Sequence, residues 1–361
     1  MKHDIFYNAF NLIDKIGPAR MKKLINFFGN PEIAWKANWT DLKQAGLEES
    51  VIESLIQQRD TFDPEKEFQK LEQLGIKIIT LDNDEYPPSL KEIYNPPFAL
   101  YVKGSIRSEN INIAIVGSRK VTPYGKQVTQ ALARNLAEAG LTIVSGMATG
   151  IDTIAHTESL KAGKETIAVL GNGLDTQNIY PPTNRRLAEE ISASGAIISE
   201  YPIGTPPLRH HFPSRNRIIS GLSVGVIVTE ATEESGALIT AKHAIDQNKE
   251  IFAVPGSIFS ESSVGTNNLI KSGACPITSA REILEELNLT FATDFIKNRK
   301  IVPESAEEKI ILDNLSKEPI HIDKLAEKTN LSTPKITATL TLMEMKGKVK
   351  NMGGMMFVCN S

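Results

Sequence analysis

Only two cysteines occur in 361 residues, Cys275 and Cys359, and they stand far apart. They form no ligand-spaced pair, which excludes a disulfide framework and a thiolate zinc site and suggests a reducing compartment. No apolar run approaches the ~20 residues that a membrane span requires. The opening Met1-Lys2-His3-Asp4-Ile5 lacks the charged-then-apolar layout of a signal peptide. The expected location is therefore cytoplasmic, with no membrane span. An excess of positive charge is also missing: 40 Lys and Arg face 43 Asp and Glu, a net of −3. That argues against a protein basic all over but leaves room for a local basic groove. Low-complexity tracts are absent.

What is present is enough for two or three domains of ~100–200 residues each. Apolar residues make up 41% of the chain, ordinary for globular cores. Residues 1–75 read as helical, with breaks at Gly17-Pro18 and at Gln44-Ala45-Gly46-Leu47. Glycine and proline punctuate helices in this way. Two helix–turn–helix units with a glycine in each turn resemble a tandem helix-hairpin-helix domain, whose hairpin amides meet phosphates. The competing reading is packing or protein contact. Trp35 and Trp39 are expected in its core. Residues 76–110 read as a strand, Ile76 to Thr80, followed by a proline-rich bridge.

From 76 to 288 the expected domain is an extended Rossmann-like core. Strands are expected at 111–117, 141–145, 165–170, 196–200, 224–229 and 250–254, rich in Ile, Val and Ala and nearly free of charge. Such runs suit strands buried on both faces. Helical patterns lie between them, for example 124–139, 183–193 and 236–247. This alternation predicts an α/β fold with a doubly wound parallel sheet. Residues 289–305 read as a polar linker. Residues 306–361 carry three helical patterns, 307–315, 322–329 and 333–346, then a hairpin with a Gly353-Gly354 turn, which together predict a winged helix. Between 306 and 350 eight Lys/Arg meet seven Asp/Glu, so duplex contact and protein contact both remain open.

Parallel sheets bind ligands at the carboxyl ends of their strands, and there the turns carry the chemistry. The first ends in Gly117-Ser118-Arg119 before a helix opened by Thr122-Pro123. Glycine admits close backbone approach, the hydroxyl and the helix amides suit an anion, and the guanidinium fork suits phosphate. The stretch is not Gly-x-Gly-x-x-Gly, so no dinucleotide cofactor is expected. The second turn, Ser145-Gly146 to Asp152, is again built of small residues. Asp152 and His156 stand four apart, but no third and fourth ligand is spaced to complete a metal site; a cap and a packed histidine are expected. The fourth turn reads Arg209-His210-His211-Phe212-Pro213-Ser214-Arg215-Asn216-Arg217, and from Tyr201 to Thr229 there is no acid. Basic side chains interleaved with an aromatic suit single-stranded nucleic acid, the ring stacking a base for ~1–3 kcal/mol. Phe212 equally suits a core anchor. His210 and His211 lack a paired nucleophile or carboxylate, so no catalytic residue is expected. After the fifth strand, Ser235 and Gly236 start a helix bearing Lys242, which either reaches the groove or is solvated. Glu230, Glu233 and Glu234 read as an acidic loop at that helix's N-terminus rather than a magnesium site.

These motifs, Gly117-Ser118-Arg119, Ser145-Gly146-x-Ala148-x-Gly150-Ile151-Asp152, Phe212-Pro213-x-Arg215-Asn216-Arg217 and Ser235-Gly236-Ala237-Leu238, resemble the DNA-processing protein A family, also called Smf. The resemblance covers nearly the whole chain. It implies a non-catalytic single-stranded DNA binder that protects incoming DNA in natural transformation, loads the RecA recombinase and helps displace single-strand-binding protein. It also implies a homodimer and a strand pocket made of Gly117, Ser118, Arg119, Gly146, Phe212, Arg215, Asn216, Arg217 and Lys242. The core is similar, more distantly, to nucleoside-monophosphate phosphoribohydrolases. The stretch Thr229 to Gly236 lacks the double glycine of their Pro-Gly-Gly-x-Gly-Thr motif, which puts that alternative in doubt.

Overall fold

A computed structural model of the chain describes residues 2–289, 305–316, 318–329, 331–345 and 348–359. The chain divides into two compact units, Met1–Leu289 and Thr290–Ser361. The polar linker expected over 289–305 lies, from 290 to 304, outside the described residues.

The first unit is organised by a nine-stranded sheet. In chain order the strands are β1 (Lys77–Thr80), β2 (Ala99–Gly104), β3 (Asn112–Val116), β4 (Thr142–Ser145), β5 (Thr166–Leu170), β6 (Ala196–Ser199), β7 (Gly225–Val228), β8 (Glu250–Ala253) and β9 (Cys275–Pro276). The six charge-poor runs of the sequence become β3 to β8, each within two residues of its expected limits. They are buried almost throughout because helices cover both sheet faces. Spatial order is β1-β2-β6-β5-β4-β3-β7-β8-β9. From β6 to β9 every pairing is parallel. The chain winds outward from β3 to β6, then returns to β7 on the other side of β3. The order therefore reverses between β3 and β7, and the connections leaving their carboxyl ends diverge, the arrangement that opens a crevice beyond a parallel sheet.

Three features differ from the sequence reading. First, the sheet is mixed. β2 pairs antiparallel with both β1 and β6, and Ala99–Gly104 went unnoticed behind Pro96-Pro97. Its register sets Tyr101 opposite Ser199 and closes the edge of β6. Second, the Arg209–Arg217 stretch is not a turn: His211–Gly221 is a helix. Pro213 is tolerated there because it lies in the first turn, where a backbone N–H has no intrahelical partner. Third, residues 1–75 do not separate from the sheet. Phe10, Leu24, Trp35 and Leu55 share one buried cluster with Tyr101, Ala168 and Ile197. The Tyr101 hydroxyl donates to Asn8 Oδ1 at 2.8 Å, and Asn11 Nδ2 donates to the Glu200 carbonyl at 2.9 Å. The helices Lys2–Asn11 and Pro18–Phe28 flank the Gly17 break, and Trp39–Gln44 and Glu49–Arg59 flank Gly46, which adopts φ +84°. Trp35 packs edge-on against Phe10 at 5.1 Å. Trp39, expected in the core, is exposed.

The second unit has helices Ala306–Asn314, Ile322–Thr329 and Thr333–Met345, with strands β10 (Ile320–His321), β11 (Val349–Gly353) and β12 (Met356–Cys359) in the order β10-β12-β11. Ile311, Leu325, Ile336, Leu340 and Phe357 form its core. This is a winged helix. The wing turns at Gly354-Met355, one residue beyond the expected Gly-Gly pair, with Gly353, Gly354 and Met355 all at positive φ.

Candidate nucleic-acid interface

The turn after β3 is shaped by what its glycine lacks. A Cβ on Gly117 would stand 2.6 Å from Ile151 Cγ1 and 2.9 Å from the Glu230 carbonyl. The backbone therefore packs close enough for Ser118 N–H to donate to that carbonyl at 2.7 Å. Ser118 Oγ donates to the Lys120 carbonyl at 2.8 Å and accepts Lys120 N–H at 3.1 Å, which fixes the turn. Arg119 and Lys120 are left on the surface. Thr122 caps the helix Pro123–Glu138, its Oγ1 accepting Gly125 N–H at 3.1 Å. Glu230 completes that cap: its carboxylate accepts Thr122 N–H at 3.0 Å and Thr122 Oγ1–H at 2.6 Å. Glu230 is buried against this helix, not displayed at the start of the helix Ala237–Asp246 as its sequence neighbours suggested.

The helix His211–Gly221 sorts the basic residues of the fourth turn. Arg215 is 4% exposed. Its Nη1 donates to the Gly146 carbonyl at 2.8 Å and to the Val169 carbonyl, and its Nε donates to Asn216 Oδ1 at 3.1 Å. Arg215 thus braces the ends of β4 and β5. Gly146 makes this possible, since a Cβ there would lie 2.6 Å from Arg215 Nη2. Asp152 Oδ2 accepts the N–H groups of Gly146 and Ala148, each at 3.2 Å, so it clamps the loop in front of its own helix. Burial raises the Asp152 carboxyl while the Arg215 charge opposes the shift. Burial pulls Arg215 down to about 10, with Asp152 opposing. His156 is a packed histidine, Nδ1 lying 2.7 Å from Thr166 Oγ1. Burial, then the Arg215 charge, holds it down to about 3.

Arg217 departs furthest from its expected role. Its Nη1 and Nη2 pair with Glu200 Oε1 and Oε2 at 2.9 and 2.6 Å, a bidentate fork with both side chains largely buried. It is absent from the crevice wall. Glu200 stands one residue before the acid-free stretch that made Arg217 look available. Lys242 is exposed on the helix Ala237–Asp246 and is likewise not on the wall; Gly146 lies buried behind it.

The crevice between β3 and β7 holds a cavity of about 1310 Å³. Of the expected residues, Gly117, Ser118, Arg119, Phe212, Arg215 and Asn216 line it. Phe212 is half-buried with Arg119 5.9 Å and Arg215 6.0 Å from its ring centroid, and Tyr180 5.7 Å away. Arg119 meets no carboxylate within ion-pair distance among the described residues. Arg209, quoted in the fourth turn but not counted in the expected pocket, is also on the wall, as are Lys120 and Tyr180, which the sequence reading missed. Lys120 adjoins a quoted motif; Tyr180 has no local signal and arrives by folding alone. Among the described residues no group of three His, Cys, Asp or Glu is placed to hold a metal ion. Free guanidinium, hydroxyls, amides and an aromatic face suit a phosphate-bearing chain with unstacked bases.

Comparison with known proteins decides the family. Residues 77–288 match the model of DNA recombination-mediator protein A, and residues 297–355 match the DprA winged helix domain. The chain belongs to the DNA recombination-mediator protein A family. It is 36% identical to protein Smf of Synechocystis over 98% of both chains. The X-ray structure of DNA processing protein A from Streptococcus pneumoniae superposes with a TM-score of 0.68 at 33% identity, covering 79% of this chain and 98% of that one. A structure describing the unique single-stranded DNA binding mode of DNA processing protein A from Helicobacter pylori gives 0.54 at 35% identity, over 59% and 97%. Among the described residues no helix is long and apolar enough to cross a membrane.

Proposed function

We propose that the β3–β7 crevice binds single-stranded DNA and that the protein mediates recombination without catalysing a reaction. The observation that carries this is Arg119: a guanidinium with no ion-pair partner among the described residues, beside the Phe212 ring, at the reversal point of the parallel strands. Arg119 and Lys120 take phosphate, Phe212 stacks a base, and Ser118 and Asn216 supply polar contacts. Arg215 and Gly146 hold this wall in shape, and Gly117 lets the turn before Arg119 pack against Ile151 and the Glu230 carbonyl. The binding mode described for the Helicobacter relative supports the same ligand. Mediation then means handing the strand to a RecA-type recombinase while single-strand-binding protein leaves, as the family resemblance implies for natural transformation, and a homodimer of the core doubles the strand contact. The phosphoribohydrolase alternative loses ground because Thr229 to Gly236 lacks the double glycine of that family's motif.

The test is equilibrium binding to a fluorescent oligo-dT strand and to the matching duplex at two salt concentrations. The wild type should prefer the single strand, with log K falling by about 0.7 per log unit of salt for each phosphate neutralised. Arg119→Ala should weaken binding to all sequences alike and flatten that slope by about one phosphate. Equal affinity for duplex, or affinity indifferent to Arg119, refutes the reading. For mediation, the protein should restore recombinase assembly on a strand precoated with single-strand-binding protein; no restoration at saturating protein refutes that step.

A further inference from the structure

We propose that the crevice has two unlike walls and that Phe259 stacks a base on the wall opposite Arg119. This inference rests on the reading of the crevice as a single-strand site. Arg119 and Lys120 follow β3, and Arg209 precedes the helix that follows β6; these strands lie on one side of the reversal point. Phe259, Ser260, Glu261 and Ser262 line the cavity from the loop after β8, on the other side. That second loop brings no cation.

Phe259 is 92% exposed, and it has no ring partner among the described residues. Ile258 beside it is exposed as well; exposed apolar side chains are ordinary, but the backbone that carries this ring is held in place. Asn267 clamps the loop at its base: Gly256 N–H donates to Asn267 Oδ1 at 3.2 Å and Asn267 Nδ2 donates back to the Gly256 carbonyl at 3.1 Å. Ala231 N–H donates to the Ser262 carbonyl at 2.9 Å, and Gly265 N–H donates to the Ala231 carbonyl at 2.8 Å. At the tip, Phe259 N–H donates to Ser257 Oγ at 3.3 Å and Ser260 N–H to the Ser257 carbonyl at 3.1 Å. Neither Gly256 nor Gly265 has room for a side chain, a Cβ on each lying 2.1 Å from Ser263 Oγ and 2.6 Å from the Thr232 carbonyl respectively. The ring is therefore carried on a braced turn, whose backbone need not be ordered on binding. Two residues on, Glu261 repels phosphate. Phosphate is drawn to Arg119 and Lys120, the base on Phe212 stays on their wall, and a neighbouring base turns across the crevice to Phe259.

The experiment compares Phe259→Ala and Phe259→Trp with wild type on oligo-dT and on an abasic strand with the same number of phosphates. Loss of one base–aromatic stack predicts that Phe259→Ala binds oligo-dT about 5- to 150-fold more weakly. Phe259→Trp should retain affinity, the salt slope should not change, and on the abasic strand Phe259→Ala should equal wild type. Unchanged affinity for oligo-dT, or equal loss on both strands, overturns the proposal. So does reduced self-association in sedimentation with strand affinity intact, because the ring would then serve a second copy. Failure of the single-strand reading is separately visible, as absent or Arg119-independent binding by the wild type.

Discussion

Replacing Arg217 by alanine separates the two roles that an arginine in this stretch can play. If Arg217 gripped phosphate, the variant would fold normally and lose DNA. The structure predicts the reverse. The guanidinium holds both Glu200 oxygens at 2.9 and 2.6 Å, and the two side chains are only 12% and 14% exposed. Removing one member of a buried pair leaves an uncompensated carboxylate, a cost of ~3–5 kcal/mol when burial is complete. Residual exposure lets water reach Glu200, so about 2–3 kcal/mol is expected here. The cost spreads to the N-terminal helices, because the Glu200 carbonyl accepts Asn11 Nδ2 at 2.9 Å. Denaturant unfolding followed by circular dichroism should show a lower midpoint at unchanged slope. Strand affinity, measured where both proteins are fully folded, should match wild type within about twofold. Arg217→Met with Glu200→Met should recover much of the loss, since an apolar pair of similar volume often replaces a buried ion pair without penalty. Normal stability together with lost strand binding would refute the reasoning.

Gly146→Ala forces a Cβ to within 2.6 Å of Arg215 Nη2 and 2.9 Å of Asp152 Oδ2. It should cost about 1–3 kcal/mol and lower the melting temperature, whereas Gly236→Ala, with nothing within 4 Å, should be near neutral. Equal melting of the two variants would contradict the packing described. His156, held neutral down to about 3, makes stability depend on pH with a definite sign. Below about 6.5 the unfolded chain takes up a proton that the folded chain refuses, so stability falls as pH falls from about 6.5 toward 3, by about 1 kcal/mol per pH unit. His156→Gln should lose that slope, and the difference between variant and wild type removes the same-signed contributions of His211 and His243. Parallel stability–pH curves would refute it.

Much of the fold was legible because burial on both faces leaves a local mark. Uncharged runs of Ile, Val and Ala announced β3 to β8, and glycines announced the turns between them. β2 was not legible although it is the longest strand of the sheet: it directly follows Pro96-Pro97, and its antiparallel partners β1 and β6 stand outside the strand–helix alternation that marks the others. The helix at His211 was hidden by Pro213, which blocks a helix interior but not its first turn. The sequence by itself determined that arginines, glycines, hydroxyls and an aromatic gather at the carboxyl edge of a parallel sheet. Only the tertiary structure decided which arginine is free. Arg119, Arg215 and Arg217 are chemically identical, but a buried charge must find partners, and these come from afar: Glu200 lies 17 residues from Arg217, and Val169 and Gly146 lie 46 and 69 from Arg215. Among the described residues Arg119 meets no such partner, which leaves its charge to the proposed ligand.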